Sequence, residues 1–355
     1  MPTPILFKNL DSVALHSALA PLGVSLRTMR RLQAAVLRNG KIPSELPEVG
    51  SRLLDKLRAS MQVPSLELLQ RNESPRDGFV KYLFCGVGND VFESVRIPLL
   101  HRAEAPKYVA CVSSQIGCAL ACDFCATGRL GFRRNLAAWE MVDQVLRIRA
   151  DSRHPVRGVV FMGMGEPLLN YDAVMMAAKI LSEPCGAAIS ARAITISTAG
   201  IVPGIRRFTE ERQPYRLVVS LTSVDPQRRT ELMPMTRTHP LPDLLAALRE
   251  RQVAIGGRVT LAWTMIEGEN TRPEDAVQLA AWTRGLPVKI DLIDVNDPTG
   301  RYRPPTPATL AAFRDALRRH LSAPVARRYS GGSDIHAACG MLAGEGPAGR
   351  RYTAQ

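Results

Sequence analysis

The sequence lacks the features of a membrane or secreted protein. It contains no stretch of about 18 uncharged apolar residues, and its start, MPTPILFKNLDSVALHSAL, has no basic segment followed by an apolar one. It also has no low-complexity tract and no evident repeat. Because 46% of its 355 residues are hydrophobic, we predict a folded protein with a sizeable core. Because no membrane or secretion signal is evident, we predict that it lies in the cytoplasm and has no membrane partner.

Cysteine is scarce, and its count is odd. Seven cysteines in so long a chain argue against a secreted disulfide framework and favour metal or redox chemistry in a reducing compartment. Four of the seven lie in one segment, CVSSQIGCALACDFCATG, residues 111–128. Cys85 and Cys185 belong to no motif, and we expect them to be packed apolar thiols.

Acidic residues are outnumbered by basic ones. The 46 Lys and Arg against 33 Asp and Glu give a net charge of +13, which favours a polyanionic partner such as a nucleic acid. Ordinary solubility charge would explain the same balance. Charge therefore indicates a class of partner and does not indicate a reaction.

The chain divides into four regions. Residues 1–75 have the pattern of short helices, with Ser25 as a helix N-cap, and predict a small helical domain. In residues 76–104 the period changes to two around Gly-Asn-Asp, which predicts a β-hairpin connector. Residues 105–329 alternate strand-like and helical runs, which predicts an α/β fold whose βα units form a full or partial barrel. Residues 330–355 are a glycine-rich tail with one cysteine.

Three cysteines follow the pattern C-x3-C-x2-C. This spacing lets a tight loop direct Cys118, Cys122 and Cys125 at one centre, whereas structural zinc sites prefer two C-x2-C pairs or a mixed Cys and His set. Three thiolates on a [4Fe-4S] cluster leave one iron free for a cofactor or substrate. The alternative is a zinc ion with Cys111 as fourth ligand, although Cys111 lies in the strand-like run KYVACVSSQ.

The phrase MGMGEPLLN follows the strand-like run GVVF, at a strand end where barrels place active-site loops. Gly163 and Gly165 allow close backbone approach, and Glu166 can accept a hydrogen bond from a ligand ammonium group. The phrase is not GxGxxG, and the chain has no P-loop lysine. Nucleotide phosphate binding therefore has little support.

Together these motifs resemble those of a known enzyme superfamily. The cysteine pattern and the GEP loop on a βα chain resemble the radical S-adenosylmethionine (SAM) superfamily, which implies a partial (β/α) barrel. CVSSQIGCALACDFCATG, MGMGEPLLN, ISTAG and DIHAACGMLAG, in this order, resemble the RlmN/Cfr family, whose members methylate adenines in RNA. The match extends over nearly the whole chain and includes the phrase FESVRIP.

The resemblance implies two cofactors and the residues that hold them. Cys118, Cys122 and Cys125 would bind a [4Fe-4S] cluster, and the methionine part of SAM would bind its free iron. The remaining SAM contacts would come from Gly165, Glu166, Ser197, Ser220, Leu221, Thr222 and Asn296. Thr222 departs from the family, because SLT stands here where SLH is usual, so its hydroxyl keeps a hydrogen-bonding group but the ring is lost.

The resemblance also implies a reaction with two further cysteines and a base. Cys339 would be the cysteine that is methylated, Cys111 its disulfide partner, and Glu93 the proton acceptor. A carbon of adenine is too weak a nucleophile for direct methyl transfer, so the methyl group on Cys339 would react as a carbon radical. A disulfide between Cys111 and Cys339 would then release the product.

The substrate and the partners stay open. The resemblance implies RNA, with C2 of a ribosomal adenine first and C8 or a transfer RNA next, and an electron donor such as flavodoxin. The N-terminal helices are expected either to dock RNA or only to support the barrel. Two alternatives are the same radical chemistry on a peptide or metabolite, and a non-catalytic zinc-bearing RNA-binding protein.

Overall fold

The computed structural model describes residues 4–47, 49–99 and 106–343. The other residues, which include parts of the expected connector (100–104) and of the expected tail (344–355), lie outside this description. The strands are β1 (Ile5–Leu6), β2 (Met61–Gln62), β3 (Glu67–Glu73), β4 (Val80–Cys85), β5 (Val91–Leu99), β6 (Lys107–Val112), β7 (Gln115–Gly117), β8 (Phe132–Asn135), β9 (Val156–Phe161), β10 (Ile194–Thr198), β11 (Arg216–Ser220), β12 (Val259–Met265), β13 (Val288–Asp294) and β14 (Val325–Arg328).

Helices alternate with the later strands. They are α1 (Ser12–Ala18), α2 (Leu26–Asn39), α3 (Ser51–Ser60), α4 (Ala126–Arg129), α5 (Ala138–Ala150), α6 (Tyr171–Ser182), α7 (Val202–Glu210), α8 (Pro226–Leu232), α9 (Leu241–Ile255), α10 (Pro273–Trp282) and α11 (Pro307–His320). None of these described helices is both long and apolar enough to cross a membrane.

A ten-stranded sheet organises the described residues. Its parallel part has the order β6-β9-β10-β11-β12-β13-β14, and one or two helices connect each strand to the next. The predicted βα units are confirmed, and the sheet stays open, so the barrel is partial. Strands such as β12 (VTLAWTM) are almost continuously apolar because helices cover the outer face of a parallel sheet. The carboxyl ends of the parallel strands meet at one edge, where ligands bind in such folds.

An antiparallel part extends the sheet on the β6 side. Strands β3, β4 and β5 pair in chain order, and β5 pairs with β6. The predicted hairpin is β4 and β5, which Val87–Asn89 connects. Strand β3 lies in the segment that was expected to be helical, so extended structure begins earlier than the sequence pattern indicates.

The N-terminal helices have a core of their own, formed around Phe7, Leu15, Met29 and Leu54. Ser25 caps α2 as predicted, because its hydroxyl accepts a hydrogen bond from the Thr28 N–H. A buried ion pair fastens this region to the barrel. Lys8 Nζ lies 2.5 Å from Asp143 Oδ1, and Asp143 is on α5.

Candidate active site

The loop with three cysteines lies between β7 and α4 at the carboxyl edge of the sheet. Two glycines hold the loop compact. Gly117 has a φ of +71°, and a Cβ there would lie 1.8 Å from the Gly131 carbonyl oxygen. A Cβ on Gly128, in the CATG sequence, would lie 2.8 Å from the Cys122 carbonyl oxygen. Larger residues at either position would therefore push the cysteine loop out of place.

A small cavity opens in front of this loop. It is lined by Cys118, Cys122 and Cys125 and by several residues expected to contact SAM, namely Gly165, Glu166, Ser197, Ser220 and Asn296. Burial raises the pKa of all three thiols, and for Cys122 the neighbouring Cys125 and Cys118 add to this effect. A bound metal would supply the positive charge that makes such buried thiolates stable.

The three thiols line one cavity together, as the ligands of a four-iron cluster would. Among the described residues, no group of three or more His, Cys, Asp or Glu side chains has the spacing that holds one metal ion. A four-iron cluster binds each thiolate at a different iron, so its ligands lie farther apart than those of one ion. Cys111 does not line the small cavity, and the zinc site with Cys111 as fourth ligand finds no geometric support.

The GEP loop packs tightly against β6 and the segment that follows it. A Cβ on Gly163 would lie 2.7 Å from Ser113 Oγ, and one on Gly165 would lie 2.4 Å from the Gln115 Cβ. Gly165 also has a φ of +95°. The two glycines thus let the loop pack closely against Ser113 and Gln115, in addition to leaving space in the cavity.

Glu166 is buried beside the cavity. Its carboxylate accepts hydrogen bonds from the N–H groups of Leu168, at 3.0 Å, and Ala199, at 2.8 Å. Burial nevertheless raises its pKa to about 7. A ligand ammonium group beside it would favour the charged form, so the site is suited to a cation.

Leu221 and Thr222 do not line the small cavity. Both are fully buried, and the Thr222 carbonyl oxygen accepts a hydrogen bond from Asn270 at 2.7 Å. Thr222 has a φ of +60°, which is unusual for a β-branched residue. Its hydroxyl has no hydrogen-bond partner within the described part of the chain. The SAM contact expected from Thr222 stays a prediction.

A second cavity, of about 750 Å³, adjoins the first. Cys111 lines it from β6, and Cys339 and Gly340 line both cavities. Cys111 is buried and Cys339 is exposed. Burial raises the pKa of Cys111 most, and negative charge on Cys339 raises it further, so the two thiols lie within electrostatic reach of each other.

The tail with Cys339 is fastened to the cysteine loop. The Ala126 N–H donates to the Gly340 carbonyl oxygen at 2.7 Å, and the Thr127 hydroxyl donates to the Leu342 carbonyl oxygen at 2.5 Å. The Cys339 N–H donates to Ser330 Oγ at 3.2 Å, and Asn296 Nδ2 donates to the same oxygen at 3.0 Å. The residues that follow Cys125 therefore hold the neighbours of Cys339, and Ser330 holds Cys339 itself.

Glu93 lies under the end of the tail. It is fully buried, its Oε1 lies 2.9 Å from Lys81 Nζ, and its Oε2 accepts a hydrogen bond from the Ala343 N–H at 2.8 Å. It lines neither cavity, but Val95, two residues along the same face of β5, lines the larger one. Sequence reasoning missed Lys81, since no local pattern connects it with Glu93.

Two other features differ from expectation or were missed. Cys85 and Cys185 are half-buried, and Cys185 Sγ lies 3.2 Å from Gln33 Oε1, so Cys185 is hydrogen-bonded and not simply packed among apolar groups. Tyr329 lines the larger cavity with 75% of its surface exposed. The run ARRYSGG, with an aromatic residue next to two arginines, is the signal that could have identified it.

Known proteins are similar to this chain in sequence and in fold. The family model described as the radical SAM superfamily matches residues 112–280. The chain is 51% identical to a probable RNA methyltransferase of Myxococcus xanthus, with 95% of this chain and 93% of the relative covered. It is 41% identical to the dual-specificity RNA methyltransferase RlmN of Syntrophobacter fumaroxidans, with 85% and 87% covered.

A solved structure agrees with these relatives. The crystal structure of a radical SAM methyltransferase from Sphaerobacter thermophilus superposes with a TM-score of 0.86 at 34% identity, and the match covers 96% of this chain and 100% of that one. The open parallel sheet and the three-cysteine loop thus define a radical SAM enzyme. The chain belongs to the RlmN family of radical SAM RNA methyltransferases. It is a methyltransferase whose cofactors are a [4Fe-4S] cluster and SAM.

Proposed function

We propose that this enzyme methylates an adenine carbon in RNA, with C2 of a ribosomal adenine as the first choice and C8 as the second, and that the methyl group passes through Cys339. One observation carries the proposal. Cys339 lines both the cavity of the three cluster cysteines and the larger cavity that contains Cys111. A methyl carrier must reach the cofactors on one side and the substrate on the other, and Cys339 occupies that position.

The cofactors and the cysteines have separate roles. When bound, the cluster and SAM supply a methyl group and a carbon-centred radical, which adenine chemistry needs because its C2 and C8 are poor nucleophiles. Cys118, Cys122 and Cys125 would hold the cluster, and Gly165, Glu166, Ser197, Ser220 and Asn296 would surround SAM. Glu166 would face its ammonium group. Leu221 and Thr222 support this wall from behind.

Cys339 would carry the methyl group as a thioether. This thioether would become a methylene bridge to the base once the bound cofactors have taken one hydrogen atom from the methyl group and one electron from the radical adduct, and Glu93 has taken one proton from the base. The Cys111 thiolate attacks the Cys339 sulfur, so an S–S bond forms as the S–CH2 bond breaks. The electron pair of the broken bond goes to the methylene carbon, which gains a proton and becomes the new methyl group. An external dithiol then reduces the Cys111–Cys339 disulfide.

Glu93 takes the proton that leaves the base. Lys81 Nζ lies 2.9 Å from Glu93 Oε1 and holds the carboxylate in place. The Ala343 N–H donates a hydrogen bond to the other carboxylate oxygen, so the end of the tail contacts the proposed proton acceptor. Glu93 does not line the cavity itself, but it lies two residues from Val95, which does, on the same face of β5.

The larger cavity and the surface suit RNA. A target base must leave its stack to enter a cavity of about 750 Å³. Arg327 and Arg328, each paired with an aspartate, line this cavity together with Tyr329, whose exposed ring provides a stacking surface. Arg27, Arg30 and Arg38 on α2 are exposed, whereas Met29, Leu32 and Val36 are buried, so residues 1–75 present a basic face as an RNA-docking domain. Electrons would come from a small carrier such as flavodoxin in the cytoplasm.

Mass spectrometry of nucleosides tests this proposal. RNA purified from a strain that lacks the gene is incubated with the reconstituted enzyme, SAM and a reductant, then digested and compared with untreated RNA. We expect a new methyladenosine in ribosomal RNA, and its retention identifies C2 or C8. Methylation of a peptide or small metabolite and not of RNA would contradict the proposal.

A further inference from the structure

Arg229 on α8 is a buried cation without a carboxylate partner. Its side chain has no exposed surface, and no Asp or Glu oxygen of the described residues lies within 4.0 Å of it. Burial lowers the pKa of its guanidinium to about 10. A buried charge is costly unless another charge compensates it, and neutral carbonyl groups do so only in part.

Arg229 lies directly behind the small cavity. Its guanidinium donates to the carbonyl oxygens of Ala199, at 2.7 Å, and Leu221, at 3.0 Å, which follow β10 and β11. It also donates to Thr236 Oγ1 at 2.6 Å. Ala199 and Ser220, the residue before Leu221, line the cavity.

Arg229 is also close to the cysteine loop. The Asp123 N–H donates to the carbonyl oxygen of Leu232, the last residue of α8, at 3.0 Å, which joins the loop to the helix that carries Arg229. The cation therefore lies behind the cavity that the three cysteines line.

We propose that Arg229 is a positioning residue whose charge is the counter-ion of the iron–sulfur cluster and raises the cluster's reduction potential. The oxidised cluster with three thiolates is already an anion overall, and one-electron reduction adds one more negative charge. A fixed positive charge in a buried, low-dielectric position stabilises the reduced form more than the oxidised form. The cluster in turn supplies the negative charge that Arg229 lacks.

A purely structural clamp would explain the hydrogen bonds equally well, so the test separates charge from contacts. Arg229→Gln removes the charge and retains an amide donor. Arg229→Lys keeps the charge but loses the planar fork that reaches several carbonyl groups at once. Thr236→Asp places a negative charge on Arg229 without removing it, and Thr236→Asn is its neutral control. Arg251→Gln, on α9 against the Phe208 ring and outside both cavities, controls for loss of a partly buried arginine elsewhere.

The measurement is a dithionite titration of each reconstituted variant under anaerobic conditions, followed by electron paramagnetic resonance, with iron content determined in parallel. We expect more negative potentials for Arg229→Gln and Thr236→Asp than for the wild type. Arg229→Lys, Thr236→Asn and Arg251→Gln should stay near the wild-type potential.

If Arg229→Gln loads iron and keeps the wild-type potential, the charge does not act on the cluster. If Arg229→Gln takes up no iron, the Thr236 pair decides. The proposal is supported if Thr236→Asp has a lowered potential or loses iron and Thr236→Asn does neither. It is overturned if the potential of Thr236→Asp is unchanged. It is also overturned if Thr236→Asn and Arg229→Lys lose iron as well.

Discussion

Cys111 and Cys339 line one cavity from different parts of the chain, Cys111 from the buried strand β6 and Cys339 from the tail that follows β14. The two thiols influence each other electrostatically, since negative charge on Cys339 raises the pKa of Cys111. A thiol with a raised pKa is a poor nucleophile until its proton is removed, which protects Cys111 from premature reaction. The pair is thus separated in sequence and joined by the fold.

The cluster prediction concerns the three loop cysteines. Anaerobic reconstitution should give about four irons per chain, and replacement of Cys118, Cys122 and Cys125 together by Ala should abolish iron uptake, because these thiols line the small cavity. Iron and sulfide analysis with the absorption spectrum measures the effect. Cys185→Ala, outside both cavities, is the matched control. Full iron content in the triple variant would refute the assignment.

The ion pair between Lys8 and Asp143 is expected to hold the N-terminal region on the barrel. Asp143→Ala leaves the Lys8 ammonium buried without its counter-charge, and we expect the free energy of unfolding to fall by about 3 to 5 kcal/mol. Urea unfolding of the cluster-free protein measures this. Asp55→Ala breaks the exposed pair with Arg58 and should cost less than about 1 kcal/mol. Equal losses in the two variants would show that burial of the first pair has no energetic consequence.

Glu166 should give the cluster-free protein a specific pH dependence. Its pKa is raised from 4.5 to about 7 by burial, so between these values the folded state binds a proton that the unfolded state has released. Stability from this group is therefore present below pH 4.5 and is lost as the pH rises towards 7. Compared with Glu166→Gln, the wild type should lose up to about 3 kcal/mol over this range. Urea unfolding at several pH values gives the difference, and parallel curves would mean that Glu166 titrates normally.

Tyr329 should matter for RNA and not for methyl loading. It lines the cavity of Cys111 and Cys339 with its ring largely exposed, and stacking on a base contributes about 1 to 3 kcal/mol. We expect Tyr329→Ala to lower kcat/KM for RNA roughly 5- to 100-fold, whereas Tyr329→Phe should retain most activity. Methylation of Cys339 in the absence of RNA, measured by peptide mass spectrometry, should be unchanged. If Tyr329→Ala is as active as the wild type, the Tyr329 ring does not contribute to RNA binding.

Periodicity predicted the fold where strands and helices carry strong apolar patterns. The hairpin of β4 and β5 and the βα units from β9 to β13 are present as expected. Strand β3, with the sequence ELLQRNE, was missed because it is an edge strand that is mostly exposed and has no apolar alternation. Helix α5 was not singled out either, since most of its residues are buried and its polar face is narrow.

Without the family resemblance, the site was predictable only where its residues lie close together in sequence. The cysteine spacing and the GEP loop identified one wall of the small cavity. Arg229 could not be found in this way, because its partner Ala199 is distant in sequence and meets it only after folding. The family resemblance placed Thr222 among the SAM contacts, but it did not indicate the φ of +60° or the full burial of the side chain.

The role of Cys339 as the methyl carrier and of Cys111 as its release partner is tested most directly by peptide mass spectrometry of Cys111→Ala after reaction with RNA. Without the Cys111 thiolate, the methylene bridge between the base and Cys339 has no nucleophile to break it. After nuclease and protease digestion, the account predicts a nucleotide adduct on the Cys339 peptide, no adduct in the wild type, and unmodified RNA with Cys339→Ala. Normal turnover by Cys111→Ala, or methylated RNA from Cys339→Ala, would contradict it.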